Sequence, residues 1–231
     1  MTVAKFSKRM REIQKTLEKR SLTVQEAVDH IKKEPKVKFD ASVDINISLN
    51  IDTKKADQQV RTSVVLPHGS GKAVRVVVVT KDLEKAAQAK ANGAVEAGSL
   101  ELLDRMQGGW VDYDLVIASP DVMRDFAKVS KVLGPRGLMP NPKSGTVTQD
   151  VVSATIEACK GKVELKPDKM GQVHLRIGRL SFENQKLVEN AEAIIAELIK
   201  AKPRALKGAF IKSVYMASTM GGSHQLAVSA E

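Results

Sequence analysis

The chain contains one cysteine, one tryptophan and two tyrosines in 231 residues. Cys159 has no partner for an internal disulfide, so the fold rests on its core. Its place three residues after Ile156 on a helical stretch predicts a small buried hydrophobe. Aromatic residues make up only 3%, which argues against a single strand recognised by a row of stacked rings. The longest apolar run, Val76–Val79, is closed off by Arg75 and Lys81, too short to span a membrane. No apolar core or small-residue cleavage site follows the basic N-terminus, so no secretory signal is expected, and the lone thiol suits a reducing, cytoplasmic compartment. The histidines His30, His68, His174 and His224 stand at no metal-ligand spacing with one another or with Cys159. No catalytic constellation, metal site or cofactor is therefore expected, and the chain does not read as an enzyme.

What is present is charge, unevenly placed. The whole chain carries +10. Residues 1–67 with 161–231 hold 25 Lys/Arg against 16 Asp/Glu, whereas residues 68–160 hold 12 against 11. A nearly neutral block is thus inserted into one of net +9, and a basic field of that kind attracts polyanions through counterion release. Hydrophobic content of 42% supplies core for two domains.

Periodicity separates the two parts. Phe6, Met10, Ile13 and Leu17 recur at helical spacing amid seven positive residues, Lys5, Lys8, Arg9, Arg11, Lys15, Lys19 and Arg20, the pattern of a solvated surface helix with one apolar stripe or, favoured by the excess of positive charge, of a basic helix that faces RNA. Thr23 and Glu26 have capping-box spacing for a helix to about Lys33. From Ala41 to Asp52, apolar and polar residues alternate without a break, the pattern of a sheet covered on one face. Strands around Val60–Leu66, Val163–Leu165, Val173–Ile177, Phe210–Ser218 and Gln225–Val228, with a helix over Phe182–Ala201, complete a two-layer α+β domain. His174 and Arg176 fall on the polar face of their strand.

The insert alternates differently. A continuously apolar Val74–Val79 strand, a helix over Leu83–Asn92, a strand at Ala94–Ala97, a helix near Leu100–Met106, a strand at Leu115–Ala118 and a helix opened by Ser119, Pro120 and Asp121 predict a three-layer, Rossmann-like α/β domain. The crossings carry Pro67, His68, Gly69 and Gly71 on one side and Lys160 and Gly161 on the other, which predicts a hinge. His68-Gly69-Ser70-Gly71-Lys72 is no phosphate loop: Leu66 stands where a first glycine is needed, and Ala73 follows the lysine instead of Ser or Thr. A nucleotide-binding α/β enzyme also lacks its glycine turn, since Thr80-Lys81-Asp82 follows Val79.

Two segments stand out from ordinary folding. Gly134–Thr146 packs three glycines and three prolines around Leu138 and Met139, which predicts a rigid loop. Ser218-Thr219-Met220-Gly221-Gly222 follows a strand and offers hydroxyls, a thioether and room for close backbone approach.

With Val37-Lys38-Phe39-Asp40, Leu66-Pro67-His68-Gly69, Lys169-Met170-Gly171 with His174, and Ser213-Val214-Tyr215, these segments resemble the bacterial large-subunit ribosomal stalk protein family numbered one, over essentially the whole chain. The resemblance implies that the basic domain grips the 23S rRNA segment of the mobile stalk beside the tRNA exit site. It implies help in releasing deacylated exit-site tRNA and repression of the chain's own operon mRNA. Carried over by position, Phe39, Ser213, Thr219, Met220 and Gly221 match the family's RNA-contacting cluster. Lys38, His174 and Arg176 join them by charge and placement. A monomer off the ribosome is expected, with no membrane partner. The alternative left by the residues alone is a generic basic RNA-binding protein.

Overall fold

The computed structural model describes residues 7–17, 20–34, 37–53, 55–58, 60–203, 206 and 208–227. Lys5, Phe6, Lys19 and Val228 of the expectations above lie outside them. The chain opens with helices α1 (Lys8–Thr16) and α2 (Val24–Lys33), then strands β1 (Ser42–Leu49) and β2 (Thr62–Val65). Strand β3 (Val76–Val79), helix α3 (Leu83–Ala91), β4 (Glu96–Gly98), α4 (Leu100–Gln107), β5 (Leu115–Ala118), α5 (Ser130–Arg136) and α6 (Val151–Lys160) follow. The last stretch holds β6 (Lys162–Leu165), β7 (Gln172–Arg179), α7 (Asn184–Lys200), β8 (Ile211–Ser218) and β9 (Ser223–Leu226). The whole is a mixed α/β protein. It divides into two compact units, one formed by residues up to Gly71 and from Leu165 onward, the other by Lys72–Glu164. Relative to the sequence-based division these cuts move residues 68–71 and 161–164, of which only Lys162 and Glu164 are charged, with opposite signs, so the net charges of +9 and +1 are unchanged.

The first unit is built on the four-stranded sheet β7-β1-β8-β9, antiparallel throughout. Val43, Ile45, Ile47 and Leu49 are at most 1% exposed, while the alternate residues of β1 stay half-exposed. Helices α2 and α7 pack on the buried face through Ala27, Val28 and Ile31 and through Leu187, Ala191, Ile194 and Leu198. The capping box forms as the sequence predicts: Thr23 Oγ1 accepts from the Glu26 N–H, and Glu26 accepts from the Thr23 N–H. That pair also holds the Glu26 carboxyl below its ordinary range.

The second unit carries the parallel sheet β4-β3-β5. Alternate residues of its strands feed two separate cores. Val77, Val79, Val116 and Ala118 pack with α4, Phe126 and Leu133. Val76, Val78 and Ile117 pack with Ala89 of α3 and Val151, Ala154 and Ala158 of α6. Burial of both faces explains the unbroken apolar run of β3.

Three expectations need correction. Cys159 lies on α6 but is exposed, its thiol 3.8 Å from the Gly93 carbonyl, because the buried face of α6 is taken by Val151, Ala154, Thr155 and Ala158. The helix expected to open at Ser119 starts as two short 3-10 turns, Pro120–Val122 and Asp125–Lys128, before α5. Gly134–Thr146 is only partly a loop: its first three residues finish α5, Gly137 caps that helix at φ +71°, and Leu138 and Met139 pack against the unit's own core.

Candidate nucleic-acid interface

The four residues between β8 and β9, Thr219 to Gly222, sit at the end of the sheet where β1 begins. Thr219 is tied to Ser42, its N–H donating to the Ser42 carbonyl at 2.9 Å and its hydroxyl to the same oxygen at 3.3 Å. The Thr219 hydroxyl keeps its lone pairs for an incoming donor. Gly221 closes the turn by donating to the Ser218 carbonyl. A Cβ on Gly221 would stand 2.1 Å from Ser218 Oγ and 2.5 Å from Glu34 Oε2, so a side chain there would push Ser218 and Glu34 aside.

Beside this turn opens a cleft of about 250 Å³, lined among others by Arg9, Phe39, Asp40, Ser181, Thr219 and Gly221. Phe39, in its lining, is 55% exposed, and Met220, between Thr219 and Gly221 in the chain, is 63% exposed, both large apolar side chains presented to solvent. Four charged residues line it: Arg9, Lys32, Glu34 and Asp40. The Asp40 carboxylate accepts from Ser181 N–H and hydroxyl and lies 3.6 Å from Arg179 Nη1. Lys32 donates to the Phe182 carbonyl. A cleft with balanced charge does not suit a bare phosphate string. It suits a ribose or base edge that offers its own donors, while cations elsewhere on the unit supply the long-range field.

The candidates named from sequence fall into two groups. Phe39, Thr219 and Gly221 share the cleft, and Met220 projects beside it; Lys38 is exposed next to Phe39. Ser213 is six residues back along β8, about 20 Å away at strand rise. It is half-exposed and paired with Ser48. His174 and Arg176 are exposed on β7 and face polar partners of β1: His174 Nδ1 lies 2.7 Å from Asn46 Oδ1, and Arg176 Nε lies 3.8 Å from Asp44. Burial raises the Asp44 carboxyl, with Arg176 opposing. Ser213, His174 and Arg176 therefore lie on the one sheet face that α2 and α7 leave uncovered, whereas Thr219 stands in the cleft beside the end of α2.

One residue of the site, Glu34, was not foreseen, and Arg9, expected only as part of a basic helix, makes a contact that was not. Glu34, at the C-terminal end of α2, is buried under the turn, and Arg9 of α1 reaches the Met220 carbonyl at 2.8 Å. No local pattern announces a carboxylate whose partners are 188 residues away; the Gly221-Gly222 pair was the only trace of something packed beneath it.

Of the expected hinge residues, His68, Gly69 and Gly71 are anchored within the first unit. Asn190, fully buried, accepts from the His68 N–H and donates to the Gly69 and Ile177 carbonyls. Arg179 Nε donates to the Gly71 carbonyl, and His68 bonds Glu189, which holds that carboxyl below its ordinary range. In the second unit Lys160 ends α6 and Gly161 caps it at φ +104°. Among the described residues no group of three His, Cys, Asp or Glu could hold a metal, and no helix is long and apolar enough to cross a membrane.

Comparison with known proteins shows the family. The family model described as "Ribosomal protein L1p/L10e family" matches residues 31–222. The large ribosomal subunit protein uL1 of Chlamydia caviae is 49% identical over 220 residues, covering 95% of this chain and 94% of that protein. Those of Chlamydia abortus and Chlamydia trachomatis serovar L2b are 48% and 47% identical over the same lengths. The matched stretch contains Lys38, Phe39, His174, Arg176, Ser213, Thr219, Met220 and Gly221, and the chain belongs to the ribosomal protein L1p/L10e family, whose members are structural and non-enzymatic.

Proposed function

We propose that this chain is a structural constituent of the large ribosomal subunit that binds 23S rRNA at the mobile stalk beside the tRNA exit site. The basic α+β unit is the RNA-binding domain, and the Rossmann-like unit is an insert that moves relative to it. The single observation that carries the reading is the exposed cluster of Phe39, Thr219 and Met220 around Gly221 at one end of a sheet in the +9 unit. A ribose 2′-hydroxyl pairs with the Thr219 hydroxyl, and an exposed ribose or base packs on Phe39 and Met220. Ser213, His174 and Arg176 extend the footprint along the open sheet face, and Lys38 adds charge beside Phe39. The same surface binds a like fold in the chain's own operon mRNA and so represses its translation, and the stalk helps deacylated tRNA leave. The protein works in the cytoplasm on the ribosome and is a monomer when off it.

Thr219→Val tests the site: it removes the hydroxyl at nearly constant volume and should cost roughly 1–3 kcal/mol in affinity for the stalk rRNA fragment. Unchanged affinity in a filter-binding or calorimetric titration would remove Thr219 from the interface. Binding that is equal for every RNA and lost with salt would leave the generic basic RNA-binding protein as the correct reading.

A further inference from the structure

Met220 holds a left-handed backbone at φ +68°, alone among the described non-glycine residues. Such a conformation persists where the surroundings fix it, and such sites cluster where a ligand is met. Two groups of opposite charge do the fixing here. From α1, Arg9 Nη2–H donates to the Met220 carbonyl at 2.8 Å. From the end of α2, both Glu34 oxygens accept from the Gly222 N–H at 3.1 Å. Glu34 is buried together with His224, their side chains 5% and 2% exposed, and His224 Nε2 lies 3.0 Å from Glu34 Oε1. A carboxylate only accepts, so the imidazole donates from Nε2, and its Nδ1 is without a hydrogen-bond partner.

A buried carboxylate is tolerated where donors surround it. The donors here are the turn itself and the strand that leaves it. The glycines match: a Cβ at residue 222 would stand 2.7 Å from Glu34 Oε1 and 2.9 Å from an Ile13 methyl, and one at residue 221 would stand 2.5 Å from Glu34 Oε2. Gly221-Gly222 is thus the space that the carboxylate needs.

We propose that Arg9 and Glu34 are positioning residues for RNA recognition, a two-sided clamp that presents Thr219 and Met220 in their binding conformation before RNA arrives. The proposal rests on the RNA-binding reading of this turn. Arg9 grips the carbonyl of the strained residue, and Glu34 grips the N–H two residues on. A turn held this way loses less freedom on binding, which improves affinity without adding a phosphate contact.

The test titrates the stalk rRNA fragment with the full chain across a salt series, for wild type, Arg9→Gln, Glu34→Gln, Glu34→Ala and Thr219→Val. Amide NMR shifts of Met220 and Gly222 are recorded without RNA. Arg9→Gln and Glu34→Gln should each weaken binding about 3- to 10-fold, leave the slope of log Kd against log salt unchanged, and shift those amides in the free protein. A slope reduced by about one in Arg9→Gln would make Arg9 a phosphate ligand and overturn its positioning role. Wild-type affinity in both variants would overturn the clamp. Should Glu34→Ala unfold the sheet, the isosteric Glu34→Gln and the half-exposed Arg9→Gln still decide. If Thr219→Val also binds like wild type, the RNA reading of the turn fails, whereas the amide shifts report on the clamp alone.

Discussion

Two segments of similar composition, Gly134–Thr146 and Ser218–Gly222, end in opposite places. Both combine glycines with exposed-looking apolar residues next to a regular element. In the first, Leu138 and Met139 turn inward onto the second unit's core, and the Thr146 carbonyl accepts from Ala118 beside β5. In the second, Met220 stands out at 63% exposure while a charged residue, Glu34, is buried beneath it. Constrained composition marks a fixed backbone; whether the apolar group faces core or solvent decides if that backbone serves stability or recognition. The second arrangement inverts the usual order of burial, and inversion of that kind is what a binding surface requires.

Phe39→Ala should show the largest effect on the recognition side. It removes an exposed ring from the cleft and is expected to lower affinity for the stalk fragment by about 1–3 kcal/mol with little change in the unfolding midpoint. An equal loss of stability would mean that Phe39 is core and not interface. On the other side of the comparison, Leu138→Ala should cost about 1–2 kcal/mol of stability and leave RNA affinity as in wild type. A drop in RNA affinity there would make Gly134–Thr146 part of the RNA site. Met220→Gly sharpens the contrast further, because it relieves a left-handed conformation and removes a contact side chain at once. Stability should rise by up to about 1 kcal/mol while affinity falls about tenfold; affinity that rises with stability would show the thioether to be dispensable.

The smallest effect is set by pH in the near-neutral unit. Asp114 accepts from Lys72 Nζ at 2.7 Å and from Arg75 Nε at 3.0 Å, and these bonds hold its carboxyl well below the ordinary range. A depressed carboxyl stabilises the fold above its unfolded pKa of about 3.9 and ceases to do so as pH falls toward the folded value. Because the group lies near the surface, the loss should stay under about 1 kcal/mol. Hydrogen exchange of the Arg75 amide, which donates to the same carboxylate, should quicken below pH 4 in wild type and be pH-independent of this step in Asp114→Asn, apart from the intrinsic exchange rate. Identical acid behaviour in both would remove Asp114 as the cause.

Much of the scaffold was legible because one periodicity at a time decided it. The alternation around Ile45 and Ile47 could only be a one-sided strand, and Thr23 with Glu26 fixed a helix start to the residue. The 3-10 turns after Ser119 were hidden because Val122 and Phe126, four apart, satisfy a helical pattern while the backbone bonds of 3-10 turns differ. Cys159 was misjudged because spacing from Ile156 does not say which face of α6 meets the sheet. In the site, Thr219 and Met220 could be singled out by composition and resemblance, and Arg9 as one charge of a basic helix, but neither Glu34 nor the grip of Arg9 on the turn could be. Their roles depend on contacts made across 211 and 188 residues of sequence.

The most direct measurement is a titration of the 23S stalk fragment and of an unrelated duplex RNA of equal length at about 0.15 M and about 0.5 M salt, conditions between which purely electrostatic binding is lost. Specific recognition by the Thr219 turn predicts that the stalk fragment stays bound at the higher salt while the duplex is released. Equal, salt-labile binding of both would contradict it and reduce the +9 unit to a polycation.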